Sequence, residues 1–273
     1  MVHHFKGGVI MDSSLLLAVI IILIIAFCFS PLGLGGGVLY MPVLHYLADW
    51  PIPEAILGSL TIVWMVAVSS SLAHSKEGHA DKEIANAGRI TAIPSAIIGT
   101  VLAWLILSYV SDIVIKVFAA LVLVFVIDRN LRKDKDISLV GRNISLYKKG
   151  AAIGGLSSGM LGLGGGAIYV TLNRRILAMD VHKASGTSYL ISSAVVPMAI
   201  LSHIIIEQSH TSVYDNVGML GVLLIPATAF ISAYIGARFA IQYLPDKIIR
   251  ATFIVAISAT LLRYIWDITG IIL

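Results

Sequence analysis

Long apolar runs separated by short polar stretches fill almost the whole chain of 273 residues. Runs of about 18 to 20 apolar residues can cross a bilayer as helices, and full spans are predicted at residues 55–74, 84–107, 110–127, 184–206, 217–241 and 247–265. Only 12 % of the residues are charged, whereas a soluble domain carries about a quarter. The pattern predicts an all-α polytopic membrane protein.

A glycine-rich segment interrupts the apolar pattern twice. "LGLGGGVLY" at 32–40 returns as "LGLGGGAIY" at 161–169. The offset that carries Leu32 onto Leu161 also carries Ser59 onto Ser188 and His74 onto His203. Because an internal repeat decides the architecture of a chain, we expect two homologous halves, with residues related by this repeat offset in equivalent positions.

The repeat divides the chain into four parts. These are an N-terminal tail at residues 1–11, a first membrane repeat at 12–130, a linker at 131–146 and a second membrane repeat at 147–273. The linker is rich in Arg and Lys, so the positive-inside rule predicts that it is cytoplasmic. The apolar runs predict a multi-pass protein, and the plasma membrane is its expected location. The net charge of +4 arises from such loop residues, and no nucleic-acid partner is expected.

Two topologies fit the glycine segments. Residues 37–47 would form a helix of about 16 Å, which is too short to cross about 30 Å of hydrocarbon. Either each glycine segment is a break within one crossing, which makes the halves parallel, or the chain turns back there and the halves are antiparallel. The second topology leaves only Lys6, Lys116 and Arg263 on the outer side. Charge therefore favours two inverted repeats, each a glycine-broken re-entrant hairpin plus three transmembrane helices.

In this topology the short helices that begin near Gly37 and Gly166 aim their N-termini at the membrane midplane from opposite faces. A helix N-terminus carries unpaired N–H groups and the positive end of the helix dipole, so two of them make an anion site. Small hydroxyl residues follow each hairpin, although helix packing is the alternative explanation for them. The predicted substrate-binding residues are Gly35, Gly36, Gly37, Ser59, Gly164, Gly165, Gly166, Thr187 and Ser188.

Other polar residues are weaker candidates. His74 and His203 are predicted to take part in proton coupling, with simple solvation at a helix end as the alternative. His45 lies on the first short helix, where it can face either the cavity or the headgroups. Gly99 and Gly236, at equivalent positions of the two halves, are assigned to helix packing.

The sequence contains no convincing catalytic or cofactor-binding motif. "GLGGGA" at 162–167 matches the dinucleotide-binding pattern, but no alternation of strands and helices surrounds it. The sequence shows no metal-ligand cluster, nucleophile–base pair or paired carboxylates, and its one cysteine, Cys28, excludes an internal disulfide. We therefore expect no enzyme activity, no cofactor and no bound metal.

The repeated motifs resemble those of the TauE/SafE family, a group of sulfite exporter or sulfonate permease-type membrane transporters. The resemblance rests on the doubled "GxGGG" at 33–37 and 162–166, on Pro42 and on "ASGTS" at 184–188. It spans essentially the whole chain. It departs from the family pattern at 55–59, which reads "AILGS", and at Thr171, which replaces the second proline. The resemblance implies a small sulfur-containing anion as substrate, of the sulfite, thiosulfate, sulfonate or sulfoacetate type.

The sequence thus predicts a secondary transporter of a small sulfur oxyanion, working by alternating access around the glycine hairpins. No ATP-binding motif is present, so the membrane potential or coupling to H⁺ or Na⁺ must drive it. An anion channel or uniporter with the same site is the alternative. A non-transporting scaffold or enzyme subunit would leave both glycine turns unexplained. The exact substrate, the direction of transport, the coupling ion and the oligomeric state stay open.

Overall fold

The fold is described from a computed structural model, which covers residues 13–33, 36–131, 143–207, 210–243 and 246–272, and within these all side chains except those of 240–243, 246–250 and 271–272. All ten regular elements longer than a single turn in these ranges are α-helices. They are α1 (Ser13–Phe29), α2 (Gly37–Leu47), α3 (Ile52–Lys76), α4 (Lys82–Tyr109), α5 (Asp112–Leu131), α6 (Ile144–Leu161), α7 (Gly166–Arg175), α8 (Val181–Glu207), α9 (His210–Tyr243) and α10 (Asp246–Ile272). The prediction of an all-helical chain is confirmed.

Six helical segments of the described chain are long and apolar enough to cross a membrane. They are Ser13–Leu32, Ile52–Lys76, Lys82–Tyr109, Val181–Glu207, His210–Phe239 and Ala251–Gly270. Five of them overlap the predicted spans. The sixth is α1 with the short 3₁₀ turn that follows it, which the sequence assigned to one arm of a hairpin. The predicted span at 110–127 is not among the six, because α5 carries the charged residues Asp112, Lys116, Asp128 and Arg129 within its 20 residues.

Helices of one half pack mainly on helices of the other, and they do so in equivalent pairs. The repeat relates α1, α2, α3, α4 and α5 to α6, α7, α8, α9 and α10. Accordingly, α1 packs on α9 as α6 packs on α4, and α3 packs on α9 as α8 packs on α4. The equivalent helices α3 and α8 pack on each other, as do α5 and α10. The core is therefore built largely between the halves.

Each short helix packs beside a longer helix of its own half. Along α6 and α7, Gly150 faces Leu172 and Gly154 faces Tyr169, so the two helices run antiparallel. In the first half, the start of α2 lies against the middle of α3, and Leu44 near its end lies against Gly58. Both short helices therefore run antiparallel to a long helix of their own half.

Equivalent helices also run in opposite directions. Gly186 near the start of α8 contacts His74 at the end of α3, while Leu57 near the start of α3 shares a cavity with Ile204 near the end of α8. At the other pair of equivalent helices, Lys116 in the first turns of α5 lies against the last turns of α10. In these two pairs, the start of one helix therefore lies near the end of its equivalent.

Glycines allow the closest approach between helices of different halves. A Cβ atom on Gly99 would lie 2.2 Å from the Leu156 carbonyl oxygen, and one on Gly236 would lie 2.1 Å from that of Phe27. Phe27 and Leu156 are themselves related by the repeat offset, so the two contacts are equivalent. This placement agrees with the packing role predicted for both glycines.

Replacing either glycine by alanine is expected to destabilise the protein. Gly99→Ala or Gly236→Ala should lower the free energy of unfolding by about 1–3 kcal/mol, because the added methyl group cannot fit without shifting a backbone. Thermal unfolding in detergent measures the effect. Gly270→Ala is the matched control, since nothing lies within 4 Å of its Cβ position. A Gly99→Ala protein as stable as this control would contradict the packing assignment.

Candidate functional site

The two glycine segments meet in the interior of the protein. A Cβ atom on Gly37, at the start of α2, would lie 2.2 Å from the carbonyl oxygen of Leu163 in the second glycine segment. A Cβ atom on Gly164 would lie 2.2 Å from Val63, which is in the middle of α3. The starts of α2 and α7 are therefore neighbours. Gly35 lies outside the described residues.

Each short helix begins at a glycine in the left-handed region. Gly36 (φ 66°) precedes α2 and Gly165 (φ 70°) precedes α7, and glycine is the residue that adopts this conformation at no steric cost. No side chain caps either helix start within the described residues. The first turns of α2 and α7 therefore present N–H groups that no side chain has taken, together with the positive ends of both helix dipoles.

Ser59 and Ser188 connect the two halves reciprocally. The Ser59 hydroxyl donates a 2.8 Å hydrogen bond to the Gly162 carbonyl, and the Ser188 hydroxyl lies 3.3 Å from the Gly33 carbonyl and 3.0 Å from that of Gly166. Gly33 and Gly162 are related by the same repeat offset as the two serines. Each half thus donates a serine hydrogen bond to the glycine turn of the other half. The structure brings both serines to the glycine segments, where their hydroxyls bind backbone carbonyls.

Thr187 lies elsewhere, although it is adjacent to Ser188 in the chain. Its hydroxyl accepts a 2.9 Å hydrogen bond from the N–H of Asp81, at the connection between α3 and α4. Lys183 also reaches the Asp81 carboxylate, at 3.4 Å. Burial alone would raise the pKa of Asp81, but the Ile84 N–H and Lys183 lower it overall. In this conformation Thr187 supports a loop rather than a glycine turn.

The two equivalent histidines differ in their partners. His203 is fully buried, with Nε2 2.7 Å from the Gly159 carbonyl and Nδ1 2.8 Å from the Glu207 carboxylate. His74 is equally buried, yet neither of its ring nitrogens has a hydrogen-bond partner in the described part of the chain. Its ring lies 5.8 Å from that of Tyr189. A role of either histidine in proton coupling stays a prediction.

His45 and Lys116 take part in contacts at the far end of α2. The His45 Nδ1 atom lies 2.8 Å from the Trp50 carbonyl, so this half-buried ring faces the connection to α3. Lys116 is buried and pairs with Asp112 at 3.1 Å and with Asp267 at 2.5 Å. Tyr46 of α2 donates a 3.1 Å hydrogen bond to the same Asp267. These contacts tie the end of α2 to α5 and α10.

Sequence reasoning missed three hydroxyl residues around the glycine turns. Ser192 donates a 2.9 Å hydrogen bond to the Gly164 carbonyl. Tyr40 and Tyr169 lie in the first turns of α2 and α7, and both are fully buried. The signal for the tyrosines was present, because each one ends the repeated segment "LGLGGGxxY". No corresponding repeat marks Ser192, whose equivalent position is Val63.

The centre of the protein is closed in this conformation. A cavity of about 10 Å³ lies at the start of α7, lined in part by Val38, Leu163 and Gly166, and this is room for about one water molecule. A much larger cavity of about 570 Å³ opens between α3, α8 and the start of α9, with Thr61 in its wall. A ligand at the helix starts would therefore require movement of the surrounding helices.

The sequence profile of the sulfite exporter TauE/SafE family matches residues 18–264. The chain belongs to this family. The match includes both glycine segments, both short helices and the reciprocal serines, which confirms the resemblance seen in the motifs. Searches of curated proteins and of solved structures found no match. Family membership makes the chain a membrane transporter of sulfur anions and not an enzyme.

Loss of a reciprocal serine is expected to weaken the fold. Ser59→Ala or Ser188→Ala should each lower the free energy of unfolding by about 1–2 kcal/mol, because a buried glycine carbonyl loses its donor. Thermal or denaturant unfolding in detergent measures the loss. Ser193→Ala is the matched control, since within the described ranges the Ser193 hydroxyl bonds only inside its own helix, to the Leu190 carbonyl. Equal stability of the Ser59→Ala and Ser193→Ala proteins would contradict a bridging role.

Proposed function

We propose that the protein is a secondary transporter that moves a small sulfur oxyanion by alternating access, with the anion held between the starts of α2 and α7. The observation that carries the proposal is the contact between Gly37 and Leu163, which brings the two helix starts together. Each helix start contributes roughly half a positive charge. Two of them attract an anion without a buried basic side chain, which suits a ligand that must also leave.

Serine hydroxyls donate hydrogen bonds to the glycine carbonyls of the turns, and this favours binding of an anion at the remaining N–H groups. The carbonyls of Gly33, Gly162 and Gly164 each accept a hydrogen bond from a serine hydroxyl. Leu39 and Ile168 already donate their N–H groups to the carbonyls of Gly36 and Gly165. The N–H groups of the two residues before each of them, at the very start of α2 and α7, are left for a ligand, and such groups bind oxyanions. Sulfite, thiosulfate, a sulfonate and sulfoacetate all present such oxygens, and the proposal extends to this whole class.

We propose further that the halves are inverted repeats in the membrane, each with a re-entrant hairpin. Support comes from the antiparallel course of α6 and α7, from the antiparallel pairing of the equivalent helices α3 and α8, and from the placement of basic residues in the sequence. Inverted repeats with broken helices can present one central site to either side of a bilayer in turn. The basic linker is placed in the cytoplasm in this arrangement.

Energetic coupling follows from the charge of the substrate. A membrane potential contributes about 2.3 kcal/mol per charge per 100 mV, and a negative interior favours export of an anion. Import would require H⁺ or Na⁺ as a coupling ion, with His74 and His203 as the candidate proton sites. A channel with the same site is less well supported, because the centre leaves only about 10 Å³.

Reconstitution tests the proposed transport directly. The full chain in proteoliposomes loaded with sulfite should release it faster than protein-free liposomes, with a rate that saturates at high sulfite. A potassium-diffusion potential that is negative inside should accelerate the release, because the permeating species is an anion. No release of any sulfur oxyanion above the protein-free rate would overturn the proposal, and release that does not saturate would favour the channel.

Cysteine labelling tests the inverted topology. Pro51 and Asp180 occupy equivalent positions before α3 and α8, and both are exposed. With Cys28→Ser as the background, Pro51→Cys should react with a membrane-impermeant maleimide from outside the cell and Asp180→Cys only from inside. Labelling of both positions from one side would instead require parallel halves.

A further inference from the structure

Two hydroxyl groups in the centre of the protein have no hydrogen-bond partner among the described residues. Tyr40 and Tyr169 are each 0 % exposed, and their hydroxyl oxygens find no donor or acceptor there. The repeat offset carries one tyrosine onto the other, so the two are equivalent. An unpaired tyrosine hydroxyl thus occurs once in each half, at the same position of the repeated segment.

Each phenol folds back over the start of its own helix. The Tyr40 hydroxyl oxygen lies 2.8 Å from the position that a Cβ atom would take on Gly36, and Cζ of Tyr169 lies 2.7 Å from that position on Gly165. Side chains on a helix lean toward its N-terminus, so a tyrosine in the first turn reaches the N-cap. The glycine at the N-cap leaves the space that the phenol fills. The phenol of each tyrosine consequently lies over the N-cap glycine that precedes its own helix.

Other fully buried tyrosines of the described chain are satisfied. The Tyr189 hydroxyl donates to the Ser30 carbonyl at 2.8 Å, that of Tyr147 to the Ile84 carbonyl at 3.4 Å, and that of Tyr264 to the Met41 sulfur at 3.1 Å. A buried hydroxyl without a partner destabilises a fold, and phenylalanine would fill the same space without this cost. Packing alone therefore does not explain why the exceptions are the two tyrosines of the glycine motif.

We propose that the hydroxyls of Tyr40 and Tyr169 donate hydrogen bonds to the transported oxyanion, one at each helix start. This inference rests on the proposed function. A phenol is a neutral donor at physiological pH, so it adds a directed hydrogen bond to an anionic oxygen without adding charge. Each unpaired hydroxyl then gains a hydrogen-bond acceptor when the anion is bound, and the backbone N–H groups of the helix start bind the same anion.

Conservative substitutions separate this role from a structural one. Tyr40→Phe and Tyr169→Phe remove one oxygen atom each and keep the ring. The affinity for sulfite, measured by calorimetry on the purified full chain, should fall about 10-fold or more in each variant, as expected for a hydrogen bond to a charged group. The melting temperature without sulfite should stay the same or rise, because the unsatisfied group has been removed.

Tyr147→Phe is the matched control, since its hydroxyl is already bonded to the Ile84 carbonyl. This variant should bind sulfite as the wild-type protein does and melt at the same or a lower temperature. Wild-type affinity in both Tyr40→Phe and Tyr169→Phe would overturn the inference and leave the proposed function intact. If the wild-type protein neither binds nor transports sulfite, thiosulfate or a sulfonate, the proposed function fails, and the inference fails with it.

Discussion

Backbone polar groups at a chain reversal inside a bilayer need partners that water cannot supply, and this constraint organises the centre of the protein. The reversals are made at glycines with positive φ, and they expose carbonyls and N–H groups together. Three serine hydroxyls from α3 and α8 donate to these carbonyls: Ser59 to Gly162, Ser192 to Gly164, and Ser188 in a hydrogen bond shared between Gly33 and Gly166. The unpaired N–H groups at the helix starts carry partial positive charge. This distribution of hydrogen bonds supports the anion site proposed above.

The same hydrogen bonds make the halves depend on each other. Ser59 of the first half stabilises the turn of the second, and Ser188 does the reverse. Around them, α1 packs on α9 and α6 on α4 through glycines that admit only a backbone neighbour. Neither half contains a complete core or a complete set of donors for its own turn. The proposed site between two such halves would change whenever they move relative to one another, as the proposed alternating access requires.

Periodicity and repetition made much of this predictable. Apolar runs predicted the helical fold, and the repeat offset placed Ser59 and Ser188 at the glycine segments. The direction of individual side chains was not predictable in the same way. Adjacent residues on a helix point about 100° apart, so Ser188 reaches a glycine turn while Thr187 reaches Asp81. Partners that lie 103 and 155 residues away in the chain leave no local signal.

Departures from the repeat carry information of their own. The carboxylate that holds His203 comes from Glu207, and its equivalent in the first half is Gly78, so His74 has no such partner. Likewise Gly154 beside Tyr169 is replaced by Ile25 near Gly36 and Tyr40. In the proposed inverted arrangement, halves with identical contacts would close the site equally toward both sides of a membrane. Unequal contacts at equivalent positions give the two proposed conformations, open to one side or to the other, different free energies. A substrate shifts the equilibrium between them only by the difference in its affinity for the two.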